Sequence, residues 1–149
     1  MRQEILRRAV QSDAEELARL TSQLGYPSSA AVIGSRLARM LPSSNDCLLV
    51  VESSSGELVG WIHGFLSQFL ESEYRVEIGG LIVDDRLRRK GIGRRLVRAV
   101  EDWALEQGAV ELSVRCREDR AESHRFYESL SFTHTKTQRV FRKRIRNSA

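Results

Sequence analysis

The chain has 149 residues, of which 41% are hydrophobic and 30% are charged, with a formal net charge of +4 at pH 7. This length supports one domain with a substantial core, and the composition excludes a disordered chain. No run of about 18 apolar residues could cross a membrane, and the start, MRQEILRRAV, lacks the apolar core of a signal peptide. We therefore expect a single cytoplasmic domain over residues 1–149, and the basic charge favours partners that carry phosphate.

Both cysteines lie inside apolar runs, Cys47 in CLLVVE and Cys116 in ELSVRC. This placement predicts two buried thiols in a reducing compartment rather than a disulfide. Neither cysteine has the spacing to other ligands that metal sites use, so the sequence predicts no metal.

In chain order, the predicted elements begin with a short strand, EILRRAV (4–10). The apolar residues of the next segment recur at helical spacing, and side chains able to cap a helix precede them. Two helices follow, from Ser12 or Asp13 to Gly25 and from Ser28 or Ser29 to Pro42. In the first helix, Leu17, Leu20 and Leu24 form one apolar stripe.

Apolar, β-prone runs then predict strands at 47–52, 58–70 and 74–84, the first two joined in a hairpin by the turn SSSGE. A strongly amphipathic helix runs from about Ile92 to Gly108. It is followed by a strand at 109–116, a helix at 121–130, and two tail strands near 132–136 and 138–146. This order, β-α-α-β-β-β-α-β-α-β-β, predicts a mixed α/β fold with one strand–helix–strand crossover, where a ligand site is expected.

The segment RLRRKGIGRRL (86–96), which opens the amphipathic helix, has six cations, two glycines and no carboxylate. Cations are unfavourable at a helix N-terminus, where the backbone already carries partial positive charge, unless a multiply charged anion binds there. Gly91 and Gly93 would let backbone amides approach phosphate oxygens. The pattern predicts a diphosphate site; a solvated basic loop with a glycine turn is the alternative. The dinucleotide-binding fingerprint fails, because Leu96 occupies its third glycine position.

Two stretches, EIGGLIVDDRLRRKGIGRRLVRAVEDWA and AESHRFYESLSF, resemble the GNAT family of N-acetyltransferases. The family signature, R/Q-x-x-G-x-G/A, is met by Arg88, Gly91 and Gly93. The resemblance implies a central mixed, mostly antiparallel sheet flanked by helices, with splayed strands at the cofactor site. It also implies transfer of an acetyl group from acetyl-CoA to a primary amine of a small molecule or peptide, by direct attack in a ternary complex.

The same resemblance implies how acetyl-CoA would be held. The pantetheine arm would pair with the backbone near Ile82 and Val83, with the pair Gly79–Gly80 marking a bulge or a close backbone approach. The residues expected at the pyrophosphate loop are Arg88, Arg89, Lys90, Gly91, Ile92, Gly93 and Arg94.

Two residues are expected to be catalytic. By position in the second motif, Tyr127 is the general acid for the coenzyme A thiolate; core packing is its alternative role. Glu77 is the first candidate for the base; the alternatives are an ion pair with an arginine, a solvated side chain, or an ordered water acting as base. Strand alternation places Glu77 on the same side as Gly79, Leu81 and Val83 unless a bulge intervenes.

The second motif departs from the family pattern at two positions. Arg120 stands where the family often has Asn, and Ser131 stands where a glycine usually precedes Phe132. Among the histidines, His124 lies one turn before Tyr127 and is expected to be solvated, whereas His63 and His134 belong to no motif.

The acceptor is less constrained by sequence. The acidic turn FLESEY, with Glu71, Glu73 and Glu77, favours a cationic amine. Two other functions stay open: an acyl-CoA sensor without turnover, and a nucleic-acid-binding protein that uses the basic loop and the tail RVFRKRIRNSA. The predicted tail strands offer an edge for a homodimer, which the sequence does not establish.

Overall fold

The structure, a computed structural model, describes residues 3–23 and 25–147. Of these, the residues up to Arg115 form one compact unit, and those from Cys116 form a second. The strands are β1 (Ile5–Arg8), β2 (Asp46–Glu52), β3 (Leu58–Ser67), β4 (Arg75–Val83) and β5 (Glu111–Val114). The helices are α1 (Ala14–Gln23), α2 (Ala30–Met40), α3 (Ile92–Glu106) and, in the second unit, α4 (Ala121–Ser129).

The five strands form one sheet in sequence order. Neighbouring strands are antiparallel except β4 and β5, which are parallel and joined by α3. A parallel pair needs such a crossover because its second strand must restart at the same end of the sheet. The predicted mixed α/β fold, with its single crossover, is confirmed.

Side-chain hydrogen bonds lie at the start of α2 and in the turn before α1. Ser29 Oγ accepts the Val32 amide at 3.1 Å and begins α2. Asp13 ends a short 3₁₀ turn before α1, and its carboxylate accepts the Val10 amide at 2.8 Å. Among the described residues, no helix is long and apolar enough to cross a membrane.

Apolar side chains cover both faces of the sheet. Against one face, α1 and α2 bury a cluster that includes Leu17 and Leu20, as predicted; Leu24 lies outside the described residues. Against the other face, α3 buries Ile92, Leu96 and Val100, which are spaced four residues apart as a helical stripe requires. The remaining members of the first cluster are Ala9, Leu37, Leu48, Val50, Leu58 and Ile82.

The prediction of two tail strands is wrong. Within the part of the chain that the structure describes, residues 132–147 contain neither helix nor strand. The apolar residues that suggested strands, Val140, Phe141 and Ile145, are 60%, 87% and 84% exposed. Alternation of apolar and charged residues specifies a strand only where the apolar face is buried against a neighbour. In the tail, the apolar side chains are exposed, so the alternation specifies no strand.

The two cysteines are free, as predicted. Cys47 is buried on β2, and Cys116 is half-buried at the start of the second unit. Burial raises the pKa of both thiols, which keeps them protonated and unreactive near neutral pH.

Leu20→Ala tests the packing of α1. Because Leu20 is fully buried, we expect a loss of about 2–5 kcal/mol in the free energy of unfolding, measured with urea. Leu105→Ala, at a position 67% exposed on α3, is the control and should change stability by less than about 0.5 kcal/mol. Equal losses in the two variants would contradict the assigned packing.

Candidate active site

Strand β4 separates from β5 half-way along its length. The pairing joins Arg75–Ile78 to Glu111–Val114 and ends there, whereas β4 continues to Val83. On the other side, β3 pairs with β4 as far as Val83. Within the described ranges, one edge of residues 79–83 therefore has no strand partner. We call this stretch the open edge of β4.

A bulge lies where the two strands separate. His63 of β3 is opposite Gly80, but the next residue, Gly64, is opposite Ile78. Gly79 is therefore an extra residue in β4 without a counterpart in β3. The predicted bulge at the glycine pair is present, and such an insertion changes which face of the sheet each following side chain occupies.

The bulge changes the expected orientation of Glu77. Residues directly opposite each other share a face, so Leu81 and Val83, opposite Ile62 and Gly60, lie on the face of α3. Glu77 is opposite Phe65 and lies on the other face, toward α1 and α2. Simple alternation without a bulge would have put Glu77 with Leu81 and Val83, and that placement is wrong.

The open edge presents the backbone groups of alternate residues. The Asp84 amide donates to the Val59 carbonyl at 2.9 Å, so Asp84 and Ile82 direct their backbone groups toward β3. Alternation along the strand then directs those of Leu81 and Val83 toward the open edge. Of the two residues expected to pair with pantetheine, Val83 directs its backbone groups toward the open edge, whereas Ile82 directs its own toward β3.

The loop after β4 delivers free amides to the same end of the sheet. Arg89 and Gly91 have φ angles of 65° and 82°, and the first helical bond of α3 runs from the Arg95 amide to the Gly91 carbonyl at 3.0 Å. In residues 3–23 and 25–147, the amides of residues 91–94 have no protein acceptor. Four such donors at a helix N-terminus form an anion site.

The loop also carries positive charge that carboxylates do not neutralise. Arg88 pairs with Asp85 at 3.0 Å. Arg89, Lys90 and Arg94 are exposed and, among the described residues, have no carboxylate within 4.0 Å. The predicted loop residues thus come together around the N-terminus of α3. No cluster of metal-ligating side chains is found in the described part of the chain.

A buried carboxylate fixes the start of this loop. Asp84 is fully buried and accepts hydrogen bonds from the Arg86 amide at 3.0 Å and from its guanidinium at 2.8 and 3.1 Å. The Arg86 guanidinium also donates to Glu57 at 2.8 Å. These hydrogen bonds from Arg86 lower the pKa of the Asp84 carboxyl, although burial opposes the shift.

Glu77 is close to an arginine, as one alternative held. Its carboxylate lies 3.4 Å from Nε of Arg115, and its side chain is 14% exposed. Glu71 and Glu73 are exposed in the turn between β3 and β4. Among the described residues, Glu77 has an arginine within 4.0 Å, whereas Glu71 and Glu73 have no cation that close.

In the second unit, Tyr127 is buried on α4. Its ring contacts Phe126 and Phe132 edge-on, with centroids 5.0 and 5.3 Å apart. Burial, and to a lesser extent Cys116, raises the pKa of the Tyr127 phenol. The hydroxyl therefore stays protonated well above neutral pH, which a proton donor requires and which core packing also produces.

The two departures from the family pattern lie at the ends of α4. Arg120 precedes the helix without a side-chain cap. Ser131 follows it with a φ of 72°, and the Phe132 amide donates back to the Tyr127 carbonyl at 3.1 Å. This is the left-handed turn for which glycine is favoured, so Ser131 makes the turn in a strained conformation.

Sequence reasoning did not select His63, which the structure places at the bulge. His63 Nε2 lies 2.7 Å from Asp46 Oδ1. The two residues are seventeen positions apart, on neighbouring strands. The only sequence signal was that β2 and β3 each have a polar residue at a position that faces the helices. No motif connects Asp46 with His63.

Comparisons with known proteins agree with this geometry. The acetyltransferase (GNAT) family matches residues 13–132 of the chain. A search of curated protein sequences gives no significant match.

Solved structures share the fold at low identity. Aminoglycoside 6'-N-acetyltransferase AAC(6')-Ih from Acinetobacter baumannii is 19% identical, with a TM-score of 0.84 over 96% of this chain and 99% of that one. AAC(6')-Iy in complex with CoA is 18% identical, with a TM-score of 0.87 over 97% of each chain. Glucosamine-6-phosphate N-acetyltransferase from Arabidopsis thaliana is 20% identical, with a TM-score of 0.82 over 94% and 98%.

Asp84→Asn tests the anchor of the loop. Because the folded pKa of Asp84 is lowered, its carboxylate stabilises the fold above the ordinary value of about 3.9, and this stability is lost as pH falls through the lowered value. We expect the variant to lose about 1–3 kcal/mol at pH 7 and to show less acid dependence below about pH 4. Urea unfolding at several pH values measures both, with Asp102→Asn, exposed on α3, as control.

Ser131→Gly tests the strain after α4. Glycine adopts a positive φ without the Cβ penalty, so we expect a gain of about 0.5–1 kcal/mol, seen as a higher melting temperature. Ser129→Gly, inside the helix, is the matched control and should lose about 0.5–1 kcal/mol. A loss in both variants would show that Ser131 makes a contact more important than its backbone strain.

Proposed function

Because the chain belongs to the acetyltransferase (GNAT) family and is an acyltransferase, we propose that it transfers the acetyl group of acetyl-CoA to a primary amine of a small molecule. One observation carries the proposal: the open edge of β4 leads directly into a loop where, among the described residues, the amides of 91–94 have no protein acceptor and Arg89, Lys90 and Arg94 have no carboxylate within 4.0 Å. The pantetheine arm of acetyl-CoA, which is extended and carries amides, fits the open edge of β4, and the pyrophosphate fits the loop.

The residues present fit the donor at both of its ends. The backbone groups of Leu81 and Val83 would pair with the amides of pantetheine, as a further strand would. The amides of residues 91–94 and the side chains of Arg88, Arg89 and Lys90 would hold the pyrophosphate. When bound, acetyl-CoA supplies a thioester carbonyl for attack by the amine, and no metal is needed for this chemistry.

Tyr127 is the proposed proton donor to the leaving thiolate. Its raised pKa keeps the hydroxyl protonated across the working range of pH, so the proton is in place when the thiolate forms, while the same burial makes the hydroxyl a weaker acid. Glu77 is proposed to attract the cationic acceptor and is one candidate for the base; its negative charge is shared with Arg115.

A small amine borne on a carbohydrate is the favoured acceptor class. Several structural neighbours are aminoglycoside N-acetyltransferases, and one acetylates glucosamine 6-phosphate by its name. In this chain, Glu71, Glu73 and Glu77 supply negative charge along β4 and the turn before it, which suits an ammonium group.

Thermal melting with acetyl-CoA tests the proposed donor. At about 100 times Kd, binding adds about 2.7 kcal/mol, which for a chain of this size raises the melting temperature by about 5–10 °C. The double variant Arg88→Ala/Arg89→Ala should lose most of this rise, because it removes two cations from the loop.

The matched control is Arg98→Ala/Arg142→Ala, which removes two exposed cations elsewhere and should keep the full rise. No rise in the wild-type protein would contradict the proposal. A rise without acetyl transfer to any of a panel of aminoglycosides, polyamines and peptide amines would favour the acyl-CoA sensor. Salt-dependent binding of DNA without an effect of acetyl-CoA would favour a nucleic-acid-binding protein.

A further inference from the structure

A histidine and an aspartate form a hydrogen-bonded pair beside the bulge of β4. His63 Nε2 lies 2.7 Å from Asp46 Oδ1, and the two side chains are 20% and 23% exposed. An ionised carboxylate only accepts hydrogen bonds, so Nε2 carries the hydrogen in the neutral ring. Asp46 thereby leaves the lone pair on Nδ1, which is the arrangement a general base needs.

The free nitrogen of this histidine faces the bulge. A Cβ placed on Gly79 would lie 3.1 Å from His63 Nδ1, so the missing side chain of Gly79 leaves that nitrogen uncovered. In the described ranges, Nδ1 has no hydrogen-bond partner. The open edge of β4 begins at this same residue. A donor lying along the edge from the loop would bring its thioester end toward Gly79.

A cavity on the same side gives room for an acceptor. It has a volume of about 220 Å³, enough for one end of an amine, since a water molecule takes about 30 Å³ in the liquid. His63 and Trp61 line it from β3, and Thr21 and Arg36 line it from α1 and α2. Asp46 lines a second cavity of about 750 Å³, which gives the pair a route for protons to solvent.

Charged side chains from β2, β4 and α2 lie on the same side of the sheet as His63. Asp46 faces the ring from β2. Glu77 of β4 lies on the same face of the sheet as His63, opposite Phe65, which is the next residue of β3 on that face. Arg36 of α2 lines the cavity and is exposed to solvent, so its repulsion is screened more strongly than the attraction of the hydrogen-bonded carboxylate.

From this geometry we infer that His63 takes the proton from the acceptor ammonium, with Asp46 as its positioning residue. The inference rests on the proposed acetyl transfer. Loss of the first proton to Nδ1 frees the nitrogen lone pair, the N–C bond forms, and the C–S bond breaks. As the amide forms, the nitrogen loses its second proton, which restores the proton that the general acid gives to the leaving thiolate, and His63 returns the first proton to solvent.

The geometry favours His63 over Glu77 for this step. The Glu77 carboxylate is 3.4 Å from the Arg115 guanidinium, whereas His63 Nδ1 has no competing partner among the described residues. Glu77 then holds the ammonium near the cavity by charge, and His63 removes the proton.

Kinetics of His63→Gln, with kanamycin as acceptor, test the role of the histidine. We expect kcat to fall about 100-fold or more, with the KM for acetyl-CoA little changed and the rise of kcat/KM with pH abolished. Asp46→Asn should alter the same pH profile while leaving the KM for acetyl-CoA in place. His134→Gln, at an exposed position in the tail, is the control.

A second experiment does not depend on the acceptor. Diethyl pyrocarbonate modifies accessible neutral histidines, and peptide mass spectrometry locates the sites. Saturating acetyl-CoA should slow the modification of His63 at least fivefold. Adenosine 3',5'-bisphosphate, which lacks the pantetheine arm, should not.

The outcomes separate this inference from the proposed function. If acetyl-CoA stabilises the protein but leaves His63 equally reactive, the donor binds and the inference is overturned. The same holds if His63→Gln keeps the pH dependence while Glu77→Gln loses it. If acetyl-CoA does not bind at all, the proposed function fails first, and the inference fails with it. If kanamycin is not acetylated, the protection experiment alone decides.

Discussion

The whole candidate site depends on one constraint, the extra residue in β4 at Gly79. Up to Ile78 the strand satisfies its backbone groups between β3 and β5. Beyond the bulge it keeps β3 but leaves β5, so the groups of Leu81 and Val83 lie at an edge. Backbone groups at such an edge have no partner in the sheet and keep their hydrogen-bonding capacity for another group.

The loop that follows concentrates a second unfavourable arrangement next to the first. Cations surround the positive end of α3, and Arg89 adopts a left-handed conformation that costs about 1–2 kcal/mol. Such strain persists only where the surroundings determine the backbone. Here the buried Asp84 determines the backbone, because its carboxylate accepts a hydrogen bond from the Arg86 guanidinium, which also donates to Glu57. This buried anchor therefore fixes the start of a loop whose backbone conformation and concentration of positive charge are both unfavourable.

Much of the fold was predictable, and the failures have physical causes. Helix caps such as Ser29 and apolar stripes such as that of α3 are local signals, so element order was correct through α4. The tail strands failed because alternation along Val140, Phe141 and Ile145 says nothing about whether a neighbouring strand is present. Within the site, the loop followed from its glycines and charge. The face of Glu77 and the pair of His63 with Asp46 depend on register between strands, which no local pattern encodes.

The two proposed proton-transfer groups differ in their environments in a way that suits opposite tasks. Tyr127 is buried among aromatic rings, which disfavour its ionised form and keep its proton in place. His63 borders a cavity and is held by its hydrogen bond to Asp46, with its other ring nitrogen facing the bulge. An acid must hold its proton until the thiolate forms, whereas a base must release its proton to solvent after each turnover. The apolar environment of Tyr127 meets the first requirement. The partly solvated position of His63, beside the carboxylate of Asp46, meets the second, and neither requires a metal ion.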